Sequence, residues 1–228
     1  MPGIHMMNWN GALIDQYLVD IYNSVMLKDV IQPNELRRPA QLDKVMLFIM
    51  NHIGNTFSAK TIIDFVKSQG RSISNESMYG FLRALQDAFI IHKVPRFDIK
   101  GKWLLETQEK YYIADLGIRH AVMGYRDNGI AGFLENVVYM ELLARGYTVY
   151  IGKQGAAEVD FVAEQKEERL YIQVGYLLAN EEVTKREFAP LEAIRDNYSK
   201  LVLTMDIMPA FNREGIIRKS VIDFLLER

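Results

Sequence analysis

The sequence predicts a mixed α+β or α/β protein, with an N-terminal helical winged-helix module followed by an α-β-β-β-α-β domain. Three short helical patterns followed by a hairpin pattern give the element order of a winged helix. A glycine-containing stretch near residues 124–132 is typical of a connection. Beyond it, one helical pattern precedes three strand-like runs, a second helix and a further strand. We therefore expect an N-terminal helix and linker at 1–39, a winged-helix domain at 40–122 and a second domain at 123–228.

The elements of the first half follow from apolar spacing and from residues that cap helices. Ser58 and Ser74 stand where helical patterns begin, and a hydroxyl at that position accepts a hydrogen bond from a free backbone N–H group. Lys100-Gly101 is typical of a hairpin turn between two strand-like runs. The predicted elements are a helix at 11–31, a second helix that carries Leu42 to Ile49, a third that begins at Ser58, a fourth at 74–88, and strands at 89–98 and 103–113.

The second half has a different pattern of predicted elements, in which one helix is followed by a series of strands. Apolar residues alternate or run continuously in segments of the length that is typical of buried strands. The predicted elements are a helix at 133–145, strands at 147–153, 157–164 and 169–176, a helix at 184–196 and a strand at 200–205.

Composition limits the classes of function. Hydrophobic residues make up 49% of the chain, which is enough for a buried core. The net charge of −2 gives no global attraction to nucleic acid, so any nucleic-acid site has to be a local patch. The absence of cysteine excludes disulfides and thiolate zinc sites. No apolar run approaches the ~20 residues of a membrane helix, and no signal peptide is visible, so we expect a cytoplasmic protein without a membrane partner.

Three polar residues of the second half form a candidate metal site. Glu135 lies on an apolar helical face, where a carboxylate needs a partner. Strand alternation places Asp160 on the face opposite to Val159 and Phe161, and Gln173 lies on the next strand. Two carboxylates and an amide oxygen suit magnesium or manganese, which can orient a phosphodiester and activate water. The alternative is a pair of structural carboxylates bonded to backbone amides or to tyrosine and arginine.

The same residues stand in motifs that carry a family resemblance. The chain resembles the C-terminal region of a large family of predicted prokaryotic AAA-type ATPases, whose last domain is similar to the PD-(D/E)XK nuclease superfamily. The motifs are Leu134-Glu135-Asn136-Val137-Val138-Tyr139-Met140-Glu141-Leu142, Arg145-Gly146-Tyr147, Gly152-Lys153, Glu158-Val159-Asp160-Phe161-Val162 and Tyr171-Ile172-Gln173-Val174. The resemblance implies that residues 11–31 are the tail of the ATPase segment, that residues 40–120 are its winged-helix segment, and that the last domain has a restriction-endonuclease-like fold.

The sequence departs from the family pattern at positions that the nuclease superfamily uses for catalysis. The nuclease pattern has an acidic residue and a lysine two apart on the third strand, where this chain has Gln173 and Gly175. Lys153 on the preceding segment can substitute if the fold points it inward; otherwise it is a solvated strand-end lysine. The implied centre of Glu135, Asp160, Gln173 and Lys153 is therefore degenerate. No Gly-x-x-x-x-Gly-Lys-Ser/Thr motif occurs, so this chain has no ATP site.

Basic residues of the first module are candidates for DNA contacts. The outward positions of the fourth helix can read a major groove, and the hairpin can contact phosphates. An ordinary solvated helix face and a hairpin used for packing or partner contact are the alternatives. The candidate DNA-binding residues are Tyr79, Arg83, Lys93, Arg96, Lys100 and Lys102.

Two functional hypotheses follow from these observations. The first is a DNA-associated module, with a winged helix for binding and an inactive or weakly active nuclease-like domain. The second is a protein-interaction or regulatory module of the ATPase with no nucleic-acid role. The expected partners are DNA, the ATPase domain of the full-length protein and, in an oligomer, further copies of the chain. Winged-helix order and the basic hairpin favour the first hypothesis, while the net charge and Gly175 favour the second.

Overall fold

The computed structural model describes residues 11–36, 38–125 and 129–227, except for the side chains of residues 106 and 107. Residues 1–10 of the predicted N-terminal segment, and residues 126–128 of the predicted connection, lie outside the described residues. Helices and one large mixed sheet make up the protein, which confirms the mixed α and β class. Among the described helices, none has both the length and the apolar character needed to cross a bilayer.

The chain divides into two compact units that are each discontinuous in sequence. The first comprises Met1–His52, Ser58–His92 and Ile113–Asn128, and the second comprises Ile53–Phe57, Lys93–Tyr112 and Gly129–Arg228.

The first unit is helical. Two of its helices begin at the predicted capping residues: the Ser58 hydroxyl accepts a hydrogen bond from the Thr61 N–H group at 3.3 Å, and the Ser74 hydroxyl accepts one from the Ser77 N–H group at 3.1 Å. One helix at the end of this unit was not predicted. The described elements are α1 (Gly11–Val25), which continues as a π-helical turn (Met26–Ile31), α2 (Pro39–Asn51), α3 (Ala59–Ser68), α4 (Asn75–Asp87) and α5 (Leu116–Met123).

The second unit contains most of an eight-stranded sheet. The strands are β1 (Ile91–Asp98), β2 (Trp103–Ile113), β3 (Thr148–Gln154), β4 (Ala157–Gln165), β5 (Glu168–Val174), β6 (Ser199–Thr204), β7 (Phe211–Arg213) and β8 (Ile216–Ser220); the helices are α6 (Ile130–Ala144), α7 (Glu181–Glu192) and α8 (Val221–Leu226). The strand order in the sheet is β2-β1-β3-β4-β5-β6-β8-β7. Apolar residues from the strands and from α7 form a core that includes Val159, Tyr171, Phe188 and Val202.

The hairpin that the sequence predicts as a wing is part of this sheet. Strand β1 pairs in parallel with β3, with Arg96 opposite Ile151 and Asp98 opposite Lys153. Residues 93–112 therefore belong to the second compact unit rather than to a module that spans residues 40–122. Parallel pairing joins segments more than fifty residues apart, which local sequence patterns do not reveal.

A bulge in β4 changes the expected alternation of side chains. Tyr150 lies opposite Val162 and Gly152 lies opposite Val159, so β4 has one more residue than β3 over this interval. Such an extra residue breaks the strict two-residue period of a strand. It allows Asp160 and its neighbour Phe161 to contact the same cluster of side chains, contrary to the prediction that they face opposite ways.

Candidate functional site

A buried lysine lies at the centre of the candidate site. The ammonium group of Lys110 donates to Glu158 Oε1 at 2.7 Å, to Glu135 Oε2 at 2.9 Å and to Asp160 Oδ1 at 3.4 Å. Only 2% of Lys110 is exposed. Glu135 and Asp160 do come together as predicted, and the group that joins them is a cation of the protein itself.

Strand β2 brings two side chains to this cluster. Lys110 and Tyr112 are two residues apart, so they extend to the same face of the strand. The Tyr112 hydroxyl donates to Glu135 Oε2 at 2.8 Å. Its ring stacks on Tyr139 of α6 at 4.8 Å and lies 5.7 Å from the ring of Phe161. The aromatic packing therefore fixes the strand against α6 and holds Lys110 over the carboxylates.

Backbone N–H groups of β5 and β4 donate to the side chains of Asp160 and Gln173, respectively. Asp160 Oδ2 accepts a hydrogen bond from the Val174 N–H group at 2.8 Å. The Gln173 side-chain oxygen accepts one from the Asp160 N–H group at 3.4 Å. Gln173 is thus adjacent to Asp160, as predicted, but its oxygen is turned to the backbone.

A close approach of two glycines completes the wall around Glu135. Gly54 has a φ of +81°, and a Cβ atom at this position would lie 2.6 Å from the Cα atom of Gly132 and 3.3 Å from both carboxylate oxygens of Glu135. A side chain at Gly54 would therefore collide with the backbone of α6.

Burial and mutual repulsion control the protonation of the cluster. Burial, together with the nearby charge of Asp160, raises the pKa of Glu135 to about 8, against the lowering effects of Lys110 and Tyr112. Burial also raises the pKa of Asp160, although Lys110 and the Val174 N–H group favour its ionised form. For Lys110, burial opposes the charge, but the three carboxylates outweigh it and raise its pKa. The cluster therefore keeps the lysine charged, and burial beside Asp160 makes Glu135 easier to protonate than an exposed glutamate.

The donor set does not fit the magnesium or manganese ion that the resemblance implies. Such an ion requires oxygen ligands at about 2.0–2.6 Å, and the point that the three carboxylates share is filled by the Lys110 ammonium at 2.7 to 3.4 Å. Within the described part of the chain, no group of three or more histidine, cysteine or acidic side chains is arranged to hold a metal.

Lys153 and Gly175, the two positions tied to catalysis by the resemblance, lie outside the cluster. The ammonium that contacts the carboxylates belongs to Lys110 and not to Lys153, whose described partners are backbone groups of neighbouring strands. A Cβ atom at Gly175 would lie 3.5 Å from the side chain of Glu187, a buried residue of α7. The position of the family's lysine is thus next to an acidic side chain.

The candidate DNA-binding residues divide by the partners they have. Lys93 pairs with Glu109 at 2.7 Å, Arg96 donates to Gln108 at 2.6 Å, and Arg83 lies 3.7 Å from Asp87. Tyr79 is exposed. Lys100 and Lys102 are also exposed, and neither pairs with an acidic side chain among the described residues.

Sequence reasoning missed Lys110, Tyr112 and Glu158 as members of the site. One signal was present: Lys110 directly precedes the aromatic and apolar run Tyr111-Tyr112-Ile113, and Glu135 lies on an apolar helical face. Charges of opposite sign beside apolar segments each need a partner when they are buried, and each can be that partner for the other.

Comparisons with known proteins extend over almost the whole chain. A family model described as "Domain of unknown function (DUF8612)" matches residues 1–129. An uncharacterized protein of Haemophilus influenzae is 33% identical over 215 residues, which cover 94% of this chain and 53% of the relative. An uncharacterized protein of Methanocaldococcus jannaschii is 28% identical over 225 residues, which cover 95% of this chain and 47% of the relative. The chain thus spans about half the length of these curated relatives. No solved structure matches it significantly.

Proposed function

The chain belongs to the DUF8612 family, and we propose that it is a DNA-associated module whose nuclease-like centre is closed and non-catalytic. The observation that carries this proposal is the ammonium of Lys110, which lies within 2.7 to 3.4 Å of three carboxylates. A metal-dependent nuclease needs an ion with an open coordination position for water or phosphate. An ammonium group is not a metal ion and has no open coordination position for water or phosphate. Lys110 therefore stabilises the cluster without activating a water molecule.

The element order supports a nuclease-like fold for this centre. Helix α6, strands β3, β4 and β5, helix α7 and strand β6 follow one another as α-β-β-β-α-β, the order that the resemblance to the PD-(D/E)XK superfamily implies. Helices α2, α3 and α4 of the first unit have the helical order of the proposed winged helix, whereas most of the β1–β2 hairpin belongs to the second unit. The relatives' additional length provides room for the ATPase core that the resemblance places elsewhere in the full-length protein.

DNA association is supported by cations that no acidic side chain of the described residues engages. Lys100 and Lys102 lie at the β1–β2 turn and are exposed, whereas Lys93 already pairs with Glu109. Phosphate contacts need only positive charge within reach of the backbone, so two free lysines on a turn support a weak, sequence-independent interaction.

The test combines DNA binding and cleavage on the same protein. We expect weak binding of duplex DNA that needs no divalent ion and decreases with salt, and no cleavage of supercoiled or branched DNA with magnesium or manganese. The variant K100Q/K102Q should bind more weakly, with a salt slope smaller by up to ~2. The matched control K166Q/K185Q removes two exposed lysines elsewhere and should bind as the wild type does. Metal-dependent cleavage, or equal binding by both variants, would contradict the proposal.

A second candidate function is a protein-interaction module, which exposed apolar side chains favour. Ile207 is fully exposed, and Met208 is 60% exposed. The buried guanidinium of Arg218 donates to the carbonyl oxygens of Met208 and Asp206 at 2.7 Å each and so fixes the loop that displays them. Failure to bind duplex or single-stranded DNA even at low salt would favour this candidate.

A further inference from the structure

A groove in the second unit has the chemistry of a nucleotide site. It has a volume of about 520 Å³ and lies beside the β1–β2 turn, the end of β3 and the segment after α7. We propose that it binds a nucleotide unit, with cations on the phosphate and Tyr198 against the base. The inference rests on the proposed DNA association for the source of that nucleotide. The lining includes Lys100, Lys102, Gln154, Arg169, Arg195 and Tyr198.

Three of the cations that line the groove are available to a ligand. Lys100, Lys102 and Arg195 are exposed, and no acidic side chain of the described chain pairs with them. Asp196 is the acidic residue of the described lining, and its oxygens already accept hydrogen bonds from the Tyr171 hydroxyl at 2.7 Å and from the Tyr198 N–H group at 3.2 Å. The groove therefore presents an excess of positive charge, which suits a phosphate.

An aromatic ring on a fixed support lies among these cations. The guanidinium of Arg169 is centred 5.2 Å from the ring of Tyr198 and 5.2 Å from the ring of Phe97, and it pairs with Glu164. The ring of Tyr171 meets Tyr198 edge-on at 6.4 Å. Tyr198 nevertheless remains 44% exposed. A ring that is held in place but open to solvent is suited to stacking with a nucleic-acid base.

The side chain of Gln154 is fixed in the wall of the groove. Its amide nitrogen donates to the Ala193 carbonyl oxygen at 3.0 Å, which fixes the orientation of the side-chain amide. Its side-chain oxygen is buried and has no hydrogen-bond partner among the described residues. Because this oxygen is closed to the groove, Gln154 shapes the wall and is not a contact for the base.

The combination of cations with an exposed aromatic ring favours a nucleotide over free phosphate or an acidic peptide. Free phosphate would use the cations but not the aromatic ring, and an acidic peptide would lack a rigid planar group for Tyr198. The volume lies within the range of pockets that hold small organic ligands, so the groove accommodates one nucleotide unit of a flexible strand. A base inside a duplex is stacked and is not available to the ring.

The experiment measures binding of four probes at low salt: a single-stranded oligonucleotide that does not pair with itself, a duplex long enough to stay paired at that salt, adenosine monophosphate and an oligoglutamate peptide. The variants are R195Q, Y198A and Y198F, with R213Q as a charge control because Arg213 already pairs with Glu192. Single-strand affinity should fall about 5- to 100-fold in Y198A and stay unchanged in Y198F. R195Q should lose affinity and reduce the salt slope by ~0.7. R213Q should match the wild type.

The outcomes separate the groove from the proposed function. If duplex and single strand bind but R195Q and Y198A bind as the wild type does, the groove inference is wrong and DNA association stands. If adenosine monophosphate binds through Arg195 and Tyr198 while neither DNA binds, the groove is supported and DNA association fails. If the oligoglutamate binds as tightly as the strand, or if no probe binds, the nucleotide assignment is overturned. Thermal unfolding of each exposed-site variant verifies that it is folded.

Discussion

Replacing Lys110 with methionine should destabilise the second unit strongly, because it removes the cation that three carboxylates share. Methionine keeps the apolar stem and deletes the ammonium that lies 2.7 Å from Glu158, 2.9 Å from Glu135 and 3.4 Å from Asp160. Removing one partner of a buried ion pair typically costs ~3–5 kcal/mol. Since whole domains have unfolding free energies of ~5–15 kcal/mol, K110M should lose a large fraction of its stability.

The loss should depend on pH in a defined direction. Without the ammonium, the pKa values of Glu135 and Asp160 in the folded state should rise further. The folded state therefore binds their protons more tightly than the unfolded state does. A carboxyl group with a raised pKa contributes stability that is present at low pH and is lost as the pH rises. The cost of K110M should therefore be larger at pH 8 than at pH 5. Adding E135Q to K110M removes one unpaired charge and should recover part of the loss at pH 8.

Denaturant unfolding at pH 5 and pH 8 measures these effects, with amide exchange of Val174 as a local probe because its N–H group bonds to Asp160. The matched control is K93M, which breaks the pair of Lys93 with Glu109 at 2.7 Å on the neighbouring strand. The Lys93 side chain is 39% exposed, so this control should cost less than about 1 kcal/mol. A K110M loss no larger than that of K93M, or a larger loss at pH 5, would refute the reasoning.

Three further predictions concern the same unit and its loops. In the wild type, the pKa of Glu135 is raised from an ordinary 4.5 to about 8. The stability that this raised pKa contributes is present below pH 4.5 and is lost as the pH rises towards 8. E135Q should flatten this pH dependence of the unfolding free energy, whose slope is at most about 1.4 kcal/mol per pH unit. G54A should destabilise more than G70A, since both have positive φ but only the Gly54 Cβ would meet the backbone, at 2.6 Å; unfolding midpoints of both decide this. R218M should speed amide exchange in residues 205–210, whereas K219M, which breaks an exposed pair, should not.

The sequence allowed Glu135 and Asp160 to be paired because each is a carboxylate in an apolar segment. Lys110 was not assigned to them because β2 precedes α6 in the chain, and its approach to the carboxylates depends on tertiary packing through Tyr112 and Tyr139. The bulge in β4 was invisible for a related reason. Its extra residue is defined by the pairing with β3, and the sequence of β4 alone reads as a regular strand.

Helix positions were predicted more fully than strand partners. Ser58 and Ser74 act locally, through hydrogen bonds to residues three positions away, so the sequence contains the whole signal. The β1–β2 hairpin was predicted in position but not in its partner, since its parallel pairing with β3 spans a long sequence separation. The basic groove combines residues from four separate segments, and only two of its cations, Lys100 and Lys102, were predicted to bind phosphate.

The central claim, that the ammonium of Lys110 closes the nuclease-like centre, is tested most directly by a manganese titration followed by NMR. Spectra of ¹⁵N-labelled protein should show a slowly exchanging Lys110 ammonium signal, because the group is 2% exposed and bonded to three carboxylates. We predict that this signal, and the amide signals of Glu135 and Asp160, persist without saturable paramagnetic broadening as manganese is added. Saturable broadening of these signals, or displacement of the ammonium signal by the ion, would show an open metal site and contradict the account.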